Sequence, residues 1–285
     1  MKVLITGAAG FIGSQLLEAL AVQHPEWTLI ASDIRPLNPQ ALRPNVEAAL
    51  LDIGKREAVL AAVAQHQPDA IVHLASVVTP PPGMGEDVLH TIDVEGTRSI
   101  LQAAVEHGVR QLIVTSSGAA YGYYPENAEW IDEHDPLRGH SKFAYAKHKR
   151  EVEEMLAQAR VKHPELRQLI LRPGTILGRH VNNQITDMFK KKAVMGISGS
   201  DSRFVFIWDQ DVVSIIIKGL EKGCSGIFNL AGDGALSLRE IAGVLQKPSR
   251  PLPAGLVQFA LRLLKPLGLT QYGPEQLDFL RYRPV

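Results

Sequence analysis

Residues 1–13 read MKVLITGAAGFIG. The run from Lys2 to Thr6 has the aliphatic and β-branched character of a buried parallel strand, and it passes directly into glycines at positions 7, 10 and 13. From Phe11 onward, FIGSQLLEALAV repeats apolar residues at helical spacing, so the glycines stand at a strand-to-helix junction. There Gly7 permits a tight turn, Gly10 lets the backbone come close to a pyrophosphate, and Gly13 lets helix pack on strand. The helix N-terminus offers unpaired N–H groups to the anion. Ala9, Phe11 and Ile12 complete the loop and count with the glycines as nucleotide-contacting positions. An ordinary βα turn is the plainer reading, and the strand before and helix after it favour the nucleotide.

A second landmark agrees. Trp27 to Ser32 (WTLIAS) reads as the next strand, and Asp33 closes it about twenty residues beyond the last glycine, where a carboxylate accepts hydrogen bonds from an adenosine ribose diol. This favours NAD. NADP is the less favoured alternative, because a 2′-phosphate beside Asp33 meets like charge. Arg35 is near enough to offset part of that repulsion, or is simply a solvated loop charge before Pro36.

The 285 residues suffice for one large α/β unit or a nucleotide domain with a small lobe. Thirty basic residues balance thirty acidic ones, so no overall field invites nucleic acid or an anionic bilayer, and a small, nearly neutral substrate is expected. Cys224 is the lone cysteine, which excludes a disulfide within the chain and a thiolate metal cluster and suits a reducing compartment. The N-terminal apolar run is broken by glycines and carries no cleavage-site pattern, and no run of about 18 apolar residues follows. These features lead us to expect a soluble, cytoplasmic protein without membrane or metal.

The alternation continues with strands at Glu47 to Leu51, Asp69 to Leu74, Arg110 to Ser116 and Arg167 to Arg172. Helices are expected at Lys55 to His66, at Val88 to His107 and within Pro136 to His163. This order predicts an α/β fold, a doubly wound, Rossmann-like parallel sheet with right-handed crossovers. After Pro173 short strands near Phe204 to Ile207 and Gly226 to Leu230 alternate with helices at Asp209 to Lys222 and Ser237 to Leu245, and a helix-prone tail follows Pro248. We expect residues 1–173 to form the nucleotide domain and 174–285 a smaller mixed α/β lobe, with 204–230 returning to the main sheet. The cleft between the two is the default site.

Tyr145 and Lys149 lie four apart in the helical run KFAYAKHKREVEEM, so one face presents both. An ammonium beside a phenol favours the phenolate and is expected to lower its pKa. Ser116 and Ser117 end the strand Leu112 to Thr115 at the sheet's carboxyl edge, where a hydroxyl can orient a substrate oxygen. Hydroxyl, phenol and ammonium together form a metal-free proton shuttle for an alcohol or carbonyl next to a hydride carrier. Each has a plain alternative as a half-buried aromatic, a solvated charge or a loop cap.

TGAAGFIG, Asp33, HLAS from His73, TSSGAAYG from Thr115, and Tyr145 with Lys149 and Glu153 resemble the extended branch of the short-chain dehydrogenase/reductase superfamily, the nucleotide-sugar epimerases and dehydratases. LRPGTILG from Leu171, FVFIWDQDVV from Phe204 and GIFNLAGDGALSLREIA from Gly226 extend the likeness over nearly the whole chain. The resemblance implies that Tyr145 is the general acid/base. It implies that Lys149 holds the nicotinamide ribose and lowers the phenol's pKa, and that Ser117 hydrogen-bonds the reacting oxygen. It also implies that Asp52 and Ile53 border the adenine, that Leu74, Ala75 and Ser76 flank the ribose and pyrophosphate, and that Pro173 and Gly174 touch the carboxamide. Asp52 also reads as a simple turn or helix-start residue.

Departures from that family's pattern narrow the chemistry. Gly118, Ala119 and Ala120 supply neither the acidic residue of its dehydratases nor a Cys and His pair, so dehydration is not expected. Asp93 stands where the family commonly has Asn, His148 where Ser or Thr often precedes the lysine, and Phe206 at a commonly polar position. Arg203 or Arg179 could grip a diphosphate, or be surface charges. His134 and His140 are candidates for substrate contact, while His73 is expected to satisfy backbone groups. The resemblance further implies a homodimer through a four-helix bundle built from Val88 to His107 and Ala144 to Ala159; purely internal packing is the alternative. The expected reaction is NAD-dependent hydride transfer at a secondary alcohol or ketone of a sugar-like substrate, giving epimerisation or net oxidoreduction. A dehydrogenase of a small non-nucleotide alcohol and a non-catalytic dinucleotide sensor are the alternatives.

Overall fold

The computed structural model describes the chain except residues 39–41, 82, 182, 265, 268–272 and 274–275, so part of the tail after Pro248 lies outside the described residues. In its first half β1 (Lys2–Thr6), α1 (Phe11–Gln23), β2 (Thr28–Asp33), β3 (Val46–Leu50), α2 (Arg56–His66), β4 (Ala70–His73), α3 (Glu86–His90), α4 (Gly96–Glu106) and β5 (Gln111–Thr115) follow in order. Then come α5 (Ala144–Lys162), β6 (Arg167–Pro173), β7 (Thr175–Leu177), α6 (Gln184–Lys190), β8 (Val194–Ile197), β9 (Arg203–Phe204) and β10 (Phe206–Trp208). The chain closes with α7 (Asp209–Lys222), β11 (Gly226–Leu230), β12 (Leu236–Ser237), α8 (Leu238–Val244), β13 (Ser249–Leu252), α9 (Ala254–Leu264) and α10 (Gln276–Arg281).

Seven strands form one sheet in the order β11-β6-β5-β4-β1-β2-β3, and every neighbouring pair is parallel. Parallel strands need helical crossovers, which cover both faces and bury the strands throughout. Accordingly Val3, Leu4 and Ile5 are wholly buried, with Leu4 in one core and Val3 and Ile5 in the other. One core lies under α1 and α7, around Leu16, Leu20, Val212 and Ile216; the other lies under α2, α4 and α5, around Val59, Ile100, Val152 and Leu156. The order of strands reverses between β1 and β4, where a doubly wound sheet opens its ligand crevice.

The expected doubly wound parallel sheet is therefore present. One element differs from expectation. The run Val88 to His107 is not one regular helix: α3 and α4 are joined by a wider π turn over Thr91–Glu95, which carries Asp93 inward. The helix expected within Pro136 to His163 is α5, which begins at Ala144 after the extended Phe143. Beyond β6, β11 joins the main sheet, while β7 with β10, β9 with β12 and β8 with β13 form three two-stranded sheets. A third, small core of Val194, Phe204, Leu238 and Ile241 lies among them.

Candidate active site

Gly7 ends β1 with a positive φ of 73°, and a Cβ placed there would lie 2.8 Å from the Ala75 amide nitrogen. Only glycine lets the β1 and β4 turns come that close. A Cβ on Gly13 would press into the Gly7 carbonyl oxygen and within 2.9 Å of the Ala8 Cα, so α1 seats directly on the turn. Gly10 is the N-cap of α1 and no side chain caps that end. The helix therefore keeps open N–H groups and the positive end of its dipole beside the turn, which suits an anion.

This turn forms one wall of a cavity of about 1210 Å³, also lined by Phe11, Ile12, Leu74, Ser76, Pro173 and Gly174. Ser117, Tyr145 and Lys149 line the same cavity. Ala9, Asp33, Asp52, Ile53 and Ala75 lie outside that lining. Asp33, at the end of β2, accepts from the Ala9 amide (3.0 Å) and the Arg35 amide (3.0 Å), and so borders the glycine turn from its other side. Arg35 is not a free loop charge: its Nε donates to Asp33 at 3.3 Å and its Nη2 to the Ala9 carbonyl at 2.8 Å. Leu51 pairs its amide with the Asp33 carbonyl, which sets Asp52 on the neighbouring strand end, where its Oδ1 accepts from the Gly54 amide at 3.0 Å. The Ile53 side chain is buried in the core, so any ligand contact it makes is through its backbone.

Both serines after β5 line the cavity, but their hydroxyls separate: Ser116 donates to Glu153 at 2.5 Å, whereas Ser117 accepts from the Ala119 amide at 3.1 Å and hydrogen-bonds Tyr145. Lys149 is buried; its Nζ donates to the Thr115 carbonyl at 3.1 Å and lies 5.5 Å from the centre of the Tyr145 ring. The expected lowering of the phenol pKa is not found in the protein alone. Burial pushes Tyr145 up to about 12, the hydrogen bond with Ser117 pulls it down, and the Asp93 carboxylate pushes it further up. Burial also lowers Lys149, with Asp93 and Glu153 acting the other way. For Tyr145 desolvation outweighs the Ser117 hydrogen bond.

Asp93 sits behind this pair. Burial alone would raise its carboxyl, but His148, Lys149, the Val77 amide and Ser76 together hold it below the usual range. Its Oδ1 accepts from Ser76 (2.9 Å) and Val77 (3.0 Å), and its Oδ2 lies 3.6 Å from the Nδ1 of buried His148. Two of the departures from the family pattern, Asp93 and His148, are thus neighbours. His73 is held between the hydroxyls of Thr6 (2.7 Å) and Thr97 (3.0 Å) rather than by backbone, and burial drives its pKa down to about 3. A buried Arg172–Glu153 pair, 2.6 Å at its closest, ties β6 to α5. Arg172 also donates to the Tyr121 hydroxyl (2.6 Å), whose own proton is shared between the Asp132 carbonyl (2.9 Å) and the Asn229 carboxamide oxygen (2.8 Å).

Several candidates do not reach the cavity. His134 is exposed beside Asp132, and His140 is buried 3.4 Å from Asp278 and stacked on Tyr124. Arg203 lies near Asp201, and Arg179 is likewise absent from the lining. Phe206 stacks on Phe204 in the small core. In their place stands Arg283, which no local pattern marks. Its guanidinium lies over Phe204 (4.0 Å) and Phe279 (4.5 Å), donates to Thr175 Oγ1 at 3.2 Å, and lines the cavity; burial brings it down to about 10.

Residues 3–231 match the model of the NAD dependent epimerase/dehydratase family. The chain belongs to this family. Among relatives, it is 28% identical over 276 residues to the N-acetyl-alpha-D-glucosaminyl-diphospho-ditrans,octacis-undecaprenol 4-epimerase of Escherichia coli O157:H7, covering 92% of this chain and 77% of that protein. Its fold is similar to the UDP-glucose 4-epimerase of Thermus thermophilus, solved with NAD (TM-score 0.71, 23% identity, 89% of this chain and 86% of that one). It is similar also to the UDP-glucose 4-epimerase of Thermotoga maritima, solved with UDP-glucose (TM-score 0.74, 20% identity, 89% and 86%).

Proposed function

We propose that this member of the family is an NAD-dependent epimerase that moves hydride to and from a secondary alcohol carbon of a sugar-like substrate, with Ser117, Tyr145 and Lys149 handling the proton. The observation that carries this reading is the convergence of a hydroxyl, a phenol and an ammonium in one cavity with an uncapped, glycine-edged helix start. The named 4-epimerases among its relatives support it.

The residues fit the cofactor. Gly7, Ala9, Gly10, Phe11, Ile12 and Gly13 would hold the pyrophosphate, and Asp33 the adenosine ribose. Asp52 and Ile53 would border the adenine, Leu74, Ala75 and Ser76 the adjoining ribose and pyrophosphate, and Pro173 with Gly174 the carboxamide. When bound, NAD supplies a hydride acceptor and donor together with a positive ring charge. In this scheme Ser117 Oγ holds the reacting oxygen and Tyr145 Oη exchanges its proton. Lys149 orients the ribose and keeps a positive charge beside the phenol. The helices α4 and α5 pack side by side in the second core, and we assign them, by the family resemblance, the interface of a homodimer. The lone Cys224 supports a reducing, cytoplasmic setting.

A dehydrogenase of a less polar alcohol is the second reading, favoured by Ile185, Met188, Val257, Leu261 and Leu280 among the residues that line the cavity. Releasing and identifying the copurifying nucleotide, then following its reduced form with candidate sugars, tests both. We expect NAD and interconversion of sugar isomers without net cofactor reduction. Net reduction would favour the second reading, and binding without any turnover would leave a sensor.

A further inference from the structure

The helix α9 has no buried residue although nine of its eleven residues, AGLVQFALRLL, are aliphatic, aromatic or glycine. Its two sides differ in what they meet. Val257 and Leu261, one turn apart, line the wall of the candidate active site. Leu256, Phe259 and Leu263 face outward and are 56%, 62% and 52% exposed, and Leu267 follows in the next turn at 69%. Covering such side chains removes apolar surface from water and is favourable.

The charge along this stretch of the chain has one sign, and Asp278 of α10, which packs on α9, is paired with His140. From Lys247 to Leu267 the sequence contains Lys247, Arg250, Arg262 and Lys265 and no Asp or Glu. Arg250 and Arg262 are exposed. This local excess is invisible in a chain whose total charge is zero. A helix of this length is about 16 Å long and 10–12 Å wide, which offers far less than the roughly 800 Å² per partner of a standard protein interface. It does suit insertion to a depth of about 5–10 Å at a lipid headgroup boundary, with arginines at the phosphates. No described helix is long and apolar enough to cross a membrane, and none is needed for surface docking.

We propose that α9 docks the protein on an anionic lipid bilayer, with Leu256, Phe259 and Leu263 inserted and Arg250 and Arg262 at the headgroups. This revises the sequence-based expectation of no bilayer partner. It stands independently of the reaction assigned above, because a binding measurement reads it without turnover. Docked in this way, the protein would hold its active-site wall one helix width from the lipid.

The test is flotation of the full chain with phosphatidylcholine vesicles containing or lacking phosphatidylglycerol, at low and high salt. We expect recovery with the anionic vesicles, weakened by salt. The Leu256→Ser/Phe259→Ser/Leu263→Ser variant should lose at least about tenfold in partitioning. Arg250→Glu/Arg262→Glu, which alters only exposed charges, should lose about tenfold as well and covers the case in which the triple variant misfolds. Equal recovery of the wild type and the arginine variant, or no flotation at all, would overturn the proposal. So would lipid-free, concentration-dependent self-association that the triple variant abolishes, since a second copy would then be the occupant.

Discussion

At the scale of single residues, Tyr145 and His73 show how burial acts on two different groups. Tyr145 is held neutral in the protein alone, up to about 12, so its usefulness depends on positive charge gathering beside it. Tyr145→Phe should retain nucleotide affinity within a few fold and lower turnover by about a hundredfold or more, read by steady-state kinetics. Unchanged turnover would remove it from the proton path. His73 titrates in the folded protein near 3 against 6.5 for the free side chain. The unfolded chain therefore binds more protons between those values, and stability falls as pH drops through the window. About 2 kcal/mol should be lost between pH 7 and pH 5, measured by urea unfolding, and His73→Gln should flatten that component. The roles of these residues were unequally legible. The spacing of Tyr145 and Lys149 marks a shared helical face, but residue type alone does not distinguish Ser116, committed to Glu153, from Ser117, which only the family resemblance singles out. Nor does any local pattern announce that Asp93 and His148, more than fifty positions apart, are neighbours.

At the scale of elements, the strand-turn-helix of residues 1–13 was readable because one short segment contains all its causes. The π turn before α4 was not, since its periodicity differs from an α-helix by a single residue and its reason, Asp93 meeting Ser76 and Val77, comes from another part of the chain. Arg283 was hidden for the same reason, as its partners are Thr175, Phe204 and Phe279. The join between α5 and β6 depends on a pair of charges that have left water together. Glu153→Gln would leave the Arg172 guanidinium buried without its counter-charge and should cost about 3–5 kcal/mol of stability. Because Arg172 also holds Tyr121, the segment following β5 should loosen with it, and hydrogen exchange at Gly118–Tyr121 should accelerate more than at β1.

At the scale of the whole molecule, a sheet with helices on both faces leaves a core on each face and an open crevice at the strand-order reversal. That arrangement followed from the alternation of strands and helices alone. The pairing of the short strands after β6 did not, because two- and three-residue strands carry too little periodicity to specify a partner. The proposed dimer belongs to this scale. Sedimentation equilibrium at micromolar protein should give twice the chain mass of 31.2 kDa, independent of lipid; a single-chain mass throughout would leave α4 and α5 with internal packing only.

The place of β11 beside β6 has a consequence for synthesis. The outer border of the sheet stays unfinished until residue 230 has been made, more than fifty codons after β6 is complete. At about 5–20 residues per second the nascent chain spends several seconds with that border unpaired. A ribosome stalled in this interval would present an adhesive edge to other chains, so the passage from residue 173 to residue 230 is when chaperone protection matters most.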